Sequence, residues 1–166
     1  MDLESPTPPI DFAQPPFLAE PPLRRLPIDL SELTFAMDMA GSSMGMIHNY
    51  LDRETGEILF VSEDNLEECE EVVERIETEP ERYVEVPTDD SRAAFRDMED
   101  FAETVEDERL QRWLWRSLSG SRPFRRFKDA VAVDGEVEER WFRFRDERQM
   151  ARAVAWLAEE GLAPAE

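Results

Sequence analysis

The chain has 166 residues, 40 of them acidic and 19 basic, for a net charge of −21. That length suits one domain with room for a tail. The carboxylate surplus argues against general duplex DNA or anionic lipid binding, which needs Lys and Arg in excess, and no run of 18 apolar residues is present to span a membrane. Apolar residues make up 41% of the chain, with ten Phe and four Trp, so a core is expected where a charged chain poor in aromatics would stay unfolded. Cys69 is the sole cysteine. An intrachain disulfide is thereby excluded, and a cytoplasmic location is expected.

The first 27 residues hold eight of the twelve prolines, with Phe12, Phe17 and Leu18 between them. Proline removes a donor and forbids helix interior, so residues 1–27 read as an extended, mostly disordered arm. Asp29 or Ser31 can cap a short helix through Ala40, with Leu30, Leu33 and Met37 on one side, ended by Gly41-Ser42-Ser43. Two β-prone runs follow, Ile47 to Leu51 and Ile58 to Val61. Asp52-Arg53-Glu54-Thr55-Gly56 forms the hairpin loop between them, with Gly56 suited to positive φ. Leu66, Cys69, Val72, Val73 and Ile76 then recur at helical spacing among glutamates, and Pro80 stops that helix. Tyr83-Val84-Glu85-Val86 reads as a third strand.

From Asp89 onward the periodicity is helical. Ala94, Met98, Phe101, Ala102 and Val105 make one stripe, and Leu110, Trp113, Leu114 and Leu118 another. Ser121 is placed to cap a helix starting near Arg122-Pro123, lined inside by Phe124, Phe127 and Val131. Asp134-Gly135 turns the chain again. Val137, Trp141, Phe144 and Arg148 share a face over 137–145, and Asp146 with Gln149 signals a further helix start or a kink. A last helix carries Met150, Val154 and Leu157 and ends at Gly161-Leu162. The expectation is an α+β fold: a small antiparallel three-stranded sheet followed by a helical C-terminal half, as one domain over 28–162 with a tail at 163–166.

Four segments are distinctive together: Tyr50-Leu51-Asp52-x-x-Thr55-Gly56-Glu57, Arg82-Tyr83-Val84-Glu85-Val86-Pro87, Gly120-x-x-Pro123-Phe124-Arg125-Arg126-Phe127-Lys128-Asp129, and Trp141-Phe142 followed by Trp156-Leu157. In this order and spacing the chain resembles uncharacterised protein family 0158, a bacterial family, over roughly residues 30–162. The resemblance implies a soluble bacterial protein and brings no catalytic residues to carry over.

Charge is sorted along the chain. Residues 52–108 hold 23 acidic and 5 basic side chains, whereas residues 109–166 hold 10 and 12. Such asymmetry concerns partners or self-docking rather than a reaction. Arg122, Arg125, Arg126 and Lys128 fall on one helix, with Arg112 and Arg116 one helix earlier; Arg122 and Arg126 are neighbours at i and i+4, and Arg125 is placed to pair with Asp129. With the free amides of a helix start nearby, this set suits a phosphate-bearing small ligand, a nucleotide or an acidic peptide. The plainer reading is docking against the chain's own acidic half. The glutamate run from Glu63 to Glu85 is either a solvated helix face or a surface for a basic protein partner.

Other sites fare worse. His48 is the sole histidine, read as an edge-strand residue, and Cys69 lies on a different helix, so neither a zinc site nor a Cys–His nucleophile is assembled. Ser42-Ser43 lacks the strand–turn–helix elbow of a nucleophile. Among the tryptophans, Trp113 and Trp141 are expected in the core. Trp115, beside Arg112 and Arg116, is either a contact to a neighbouring helix or an exposed interaction residue. No metal or cofactor is implied. The expected function is non-enzymatic binding of another macromolecule, with phosphate or nucleotide binding, and an accompanying reaction, as the alternative.

Overall fold

Four aspartates start four helices. Asp29 accepts from the amides of Ser31 and Glu32, Asp90 from Arg92, Asp107 from Arg109 and Leu110, and Asp134 from Glu136 and Val137. Each satisfies donors that an α-helix leaves unpaired at its first turn. The computed structural model describes residues 22–165. Its elements in order are β1 (Arg24–Leu26), α1 (Leu30–Ser42), β2 (Ile47–Asp52), β3 (Ile58–Ser62), a 3-10 turn (Glu63–Asn65), α2 (Glu70–Thr78), β4 (Tyr83–Glu85), α3 (Ser91–Glu103), α4 (Glu108–Leu118), α5 (Pro123–Val131), α6 (Gly135–Glu159) and β5 (Leu162–Pro164). The fold is α+β, with its helices mostly in the C-terminal half.

The three-stranded sheet has the order β3-β2-β4 and is antiparallel throughout, with Tyr50 facing Leu59 on one side and Glu85 on the other. The β2–β3 turn closes through a Gly56 amide bond to the Asp52 carbonyl at 2.9 Å. Gly56 adopts φ 81° there, a conformation that side-chain-bearing residues resist.

Two cores form. In one, Phe101, Phe127, Trp141 and Phe144 pack with ring centroids 5.0 to 6.4 Å apart, edge-to-face or tilted except for the stacked Trp141–Phe144 pair, arrangements that suit the ring quadrupoles. The other joins Leu33 and Met37 of α1, Leu51 of β2, and Ala153 and Leu157 of α6. The 25-residue α6 therefore serves as a spine: Val137 and Trp141 enter the first core, Ala153 and Leu157 the second.

Several expectations need correcting. Residues 24–26, assigned above to the disordered arm, form β1, which pairs in parallel with β5, so two of the four residues of the expected tail are strand as well; residues 1–21 of the arm lie outside the described residues. The helix expected from Leu66 begins at Glu70, after the 3-10 turn. Asp146 and Gln149 do not start a helix but lie inside the unbroken α6. No Gly or Pro interrupts residues 136–159, so helix propagation continues through them. In the last turns Ala153 and Leu157 are the buried pair, and Met150 and Val154 are exposed. Ser121 does not cap α5. Arg122 occupies that position in the left-handed region, with φ 54° and ψ 50° and no side-chain cap.

Candidate functional site

The buried face of α4 is Leu110, Leu114, Ser117 and Leu118. Its outer face carries Arg109, Arg112, Trp113 and Arg116, at i, i+3, i+4 and i+7, all exposed. Trp113, expected in the core, is 48% exposed, while Trp115 is half-buried against the aromatic core. The two indoles sit about 100° to either side of Leu114 on the helical wheel, so periodicity alone does not choose between them; the neighbouring helices do. Phe124, also expected inside, is 47% exposed and meets Phe95 edge-on at 6.5 Å.

The α5 cations do not converge. Arg122, Arg125, Arg126 and Lys128 are all exposed. Arg126 turns back, its Nη1 donating to the Ser119 carbonyl at 2.9 Å across the end of α4. Among the described residues, Arg116, Arg122, Arg125 and Lys128 form no ion pair, and the expected Arg125–Asp129 pair is absent. The arginines that reach the acidic half lie on α6 instead. Arg148 meets Asp100 at 3.2 Å, and Arg152 meets Asp89 at 3.1 Å and Asp97 at 2.7 Å.

A cleft of about 320 Å³ opens between α3, α5 and α6, with Asp38 of α1 also lining it. Phe124, Phe127, Trp141 and Phe142 supply its apolar walls, and Lys128, Arg145 and Arg152 its cations. Arg152 is fully engaged: besides its two aspartates, Gln149 donates to Asp89 at 3.3 Å. Burial works against the Arg152 charge, but hydrogen bonds with Asp97 and Asp89 outweigh it and raise its pKa. Arg145 differs. Its Nε is closed off from water with no hydrogen-bond partner among the described residues, an arrangement that costs on the order of 1–3 kcal/mol. Its guanidinium lies 5.3 Å from the Phe142 ring centre, and Nη2 reaches Asp146 only at 3.4 Å.

Of the candidate binding residues named from sequence (Arg116, Arg122, Arg125, Arg126, Lys128 and Trp115), Lys128 alone lines this cleft. One sequence signal did point there. Asp97 sits three residues after Ala94 and four before Phe101, a carboxylate on an apolar stripe, and it is 4% exposed. A buried carboxylate requires a cation, and Arg152 is that cation.

His48 lies on the central strand β2, not at a sheet edge. Its Nδ1 is 2.8 Å from Glu85 and its Nε2 3.4 Å from Glu63. The Glu85 hydrogen bond outweighs partial burial and raises the imidazole pKa. Cys69 is buried, with its thiol 3.9 Å from the Phe60 carbonyl. No hydrogen bond joins it to His48, and among the described residues no cluster of three or more His, Cys, Asp or Glu is arranged to hold a metal ion. Nor is any described helix long and apolar enough to cross a membrane.

The profile of an uncharacterised protein family, UPF0158, matches residues 25–166. The chain belongs to this family. It is 30% identical over 143 residues to the UPF0158 protein PA5073 of Pseudomonas aeruginosa, covering 86% of this chain and 89% of that one. No solved structure matches it. Two segments that carry the UPF0158 resemblance meet in the structure. Asp52, at the end of β2, is fully buried and accepts from Arg82, which precedes β4, at 3.0 and 2.8 Å. The same carboxylate accepts from the Glu54 and Thr55 amides, so it fastens the hairpin turn and the third strand together.

Proposed function

We propose that this UPF0158 protein is a non-catalytic binding protein whose contact with another macromolecule is made by the outer face of α4. The observation that carries this reading is the exposed Trp113 set among Arg109, Arg112 and Arg116, none of them in an ion pair with the described carboxylates. Trp and Arg dominate interface hot spots, because one supplies rigid area and the other a fork of donors. In a chain of net charge −21, arginines left unneutralised by their own chain favour an anionic face on the partner. The glutamates of α2 offer a separate surface for a basic protein.

The test is capture of partners from a bacterial extract by the full chain, at low and high salt. Arg112→Ala with Trp113→Ala removes the partner if α4 is the contact. Retention by that variant, with loss on replacing Glu70, Glu71 and Glu74 by Gln, transfers the contact to the acidic surface. Capture that survives high salt unchanged refutes both, because exposed charges are screened over about 10 Å at 0.1 M salt.

A second reading is phosphate or nucleotide binding at the start of α5. The uncapped first turn there lies beside Arg122 and Arg125, and free amides with guanidinium groups suit an anion. Titration with inorganic phosphate, followed at the Phe124 and Arg125 amides by NMR, tests it. No shift at millimolar phosphate removes it.

A further inference from the structure

We infer that the cleft between α3, α5 and α6 is a binding site for a small organic anion with an aromatic or apolar body, held at its carboxylate by Arg145 and Lys128. The site is separate from the α4 surface and does not depend on it.

The walls set the body of the ligand. Phe127 and Trp141 are buried at the base, whereas Phe124 and Phe142 stay partly open at the mouth. Exposed rings on two different helices facing one hollow leave an apolar slot with nothing of the described chain filling it. A volume of about 320 Å³ is at the small end of ligand clefts.

The charges set the anionic end. Three carboxylates line the cleft, yet Asp89 and Asp97 are taken up by Arg152 and Gln149, and Asp38 is exposed on α1. The cations left over are Lys128, with no ion pair, and Arg145, whose single ionic contact is a 3.4 Å approach to its neighbour Asp146. The Arg145 Nε–H is the one buried side-chain polar atom among the described residues that lacks an acceptor. A carboxylate arriving beside Phe142 supplies that acceptor. Its two oxygens match the side-on fork of Nε and Nη2, and the proposal requires the guanidinium to turn on the Phe142 ring so that Nε, closed off from water without a ligand, meets them. Lys128 closes on the same charge from α5. A neutral ligand of equal shape leaves the fork unanswered.

The test uses the full chain with phenylacetate, phenylacetamide and inorganic phosphate as probes, read by NMR at the Arg145 Nε–H and the Gln149 side-chain amide. Expected are saturable shifts with phenylacetate in the range of about 1 mM, with phenylacetamide and phosphate each at least about tenfold weaker. Arg145→Gln weakens phenylacetate about tenfold or more. Lys128→Gln, at an exposed position whose loss leaves the fold intact, weakens it severalfold. Any of four results overturns the assignment: no Arg145 shift with phenylacetate up to about 10 mM, phenylacetamide or phosphate binding as tightly as phenylacetate, phenylacetate affinity unchanged in Lys128→Gln, or unchanged in a folded Arg145→Gln.

Discussion

Replacing Asp52 by Ala should be among the most damaging single changes outside the aromatic core. The carboxylate is fully buried, receives two hydrogen bonds from Arg82 at 3.0 and 2.8 Å, and accepts from the Glu54 and Thr55 amides at 2.9 and 3.3 Å. Removing one partner of a buried ion pair costs about 3–5 kcal/mol, because the other charge is left uncompensated. Arg82 keeps Glu54 and Glu79 at 3.3 Å, which places the expectation at about 3 kcal/mol, the low end of that range. Urea unfolding followed by circular dichroism should show a lower midpoint with an unchanged slope. Combined with Arg82→Ala in a double-mutant cycle, the two losses should fall short of additivity by at least about 1 kcal/mol. The pH dependence adds an independent check. Burial pushes the Asp52 carboxyl up, but Arg82 and the turn amides outweigh it and hold it far below the usual carboxylate range. A carboxyl depressed on folding contributes stability that is complete above its unfolded value of about 3.9 and is lost as pH falls below it. The difference in stability between wild type and Asp52→Asn should therefore shrink on acidification below about pH 4. Additive losses in the cycle, or a loss under about 0.5 kcal/mol for Asp52→Ala, would refute the reasoning.

Gly56→Ala should cost at least about 2 kcal/mol by thermal unfolding, because its φ is +81° and an added Cβ would lie 3.1–3.2 Å from Ile28 and the Pro27 backbone. The two neighbouring tryptophans should separate stability from binding: Trp113→Ala should change the unfolding free energy by less than about 1 kcal/mol, and Trp115→Ala, which loses contact with the aromatic core, by about 2 kcal/mol. His48 should titrate above 6.5 by NMR and drop back towards that value in Glu85→Gln, since the Glu85 hydrogen bond is the main cause of the rise. The sign follows: its contribution to stability is complete below 6.5 and is lost as pH rises through the folded-state value.

Local signals were legible and non-local ones were not. The β2–β3 hairpin was readable because its turn chemistry is contained in five residues ending in Gly56, and the aspartate cap at 29 because it acts on amides two or three residues away. The pairing of β1 with β5 joins residues near opposite ends of the chain, and each strand has three residues. Neither shows a period, and the prolines around Arg24 argued for an arm. The continuity of α6 was hidden by Asp146, a good cap former that here sits in a helix interior facing water. The cleft was illegible for the same reason as β1–β5. Arg152 lies 55 and 63 residues from its two aspartates, and only the misplaced polarity of Asp97 on its stripe hinted at the contact.

The segregation of charge becomes a division of labour among arginines. Two of those on α6 spend their charge inside the molecule: Arg148 on Asp100, Arg152 on Asp89 and Asp97. Arg53, in the hairpin turn, does so from the other side, with its guanidinium on the Glu160 carboxylate and carbonyl. These contacts cross between the acidic and basic halves, tying α6 to α3 and to the segment before it, and the end of α6 to the hairpin turn. The arginines of α4 and those at the start of α5 have no such role. They sit on outward faces, beside Trp113 or an uncapped helix start, and form no ion pair with a described carboxylate. Arg126 aside, which donates to the Ser119 carbonyl at the end of α4, fold maintenance alone does not require a guanidinium at those positions, since a solvated Lys or Gln would keep the helices equally well. Arginine beside exposed tryptophan is the arrangement that recognition of an anionic surface uses.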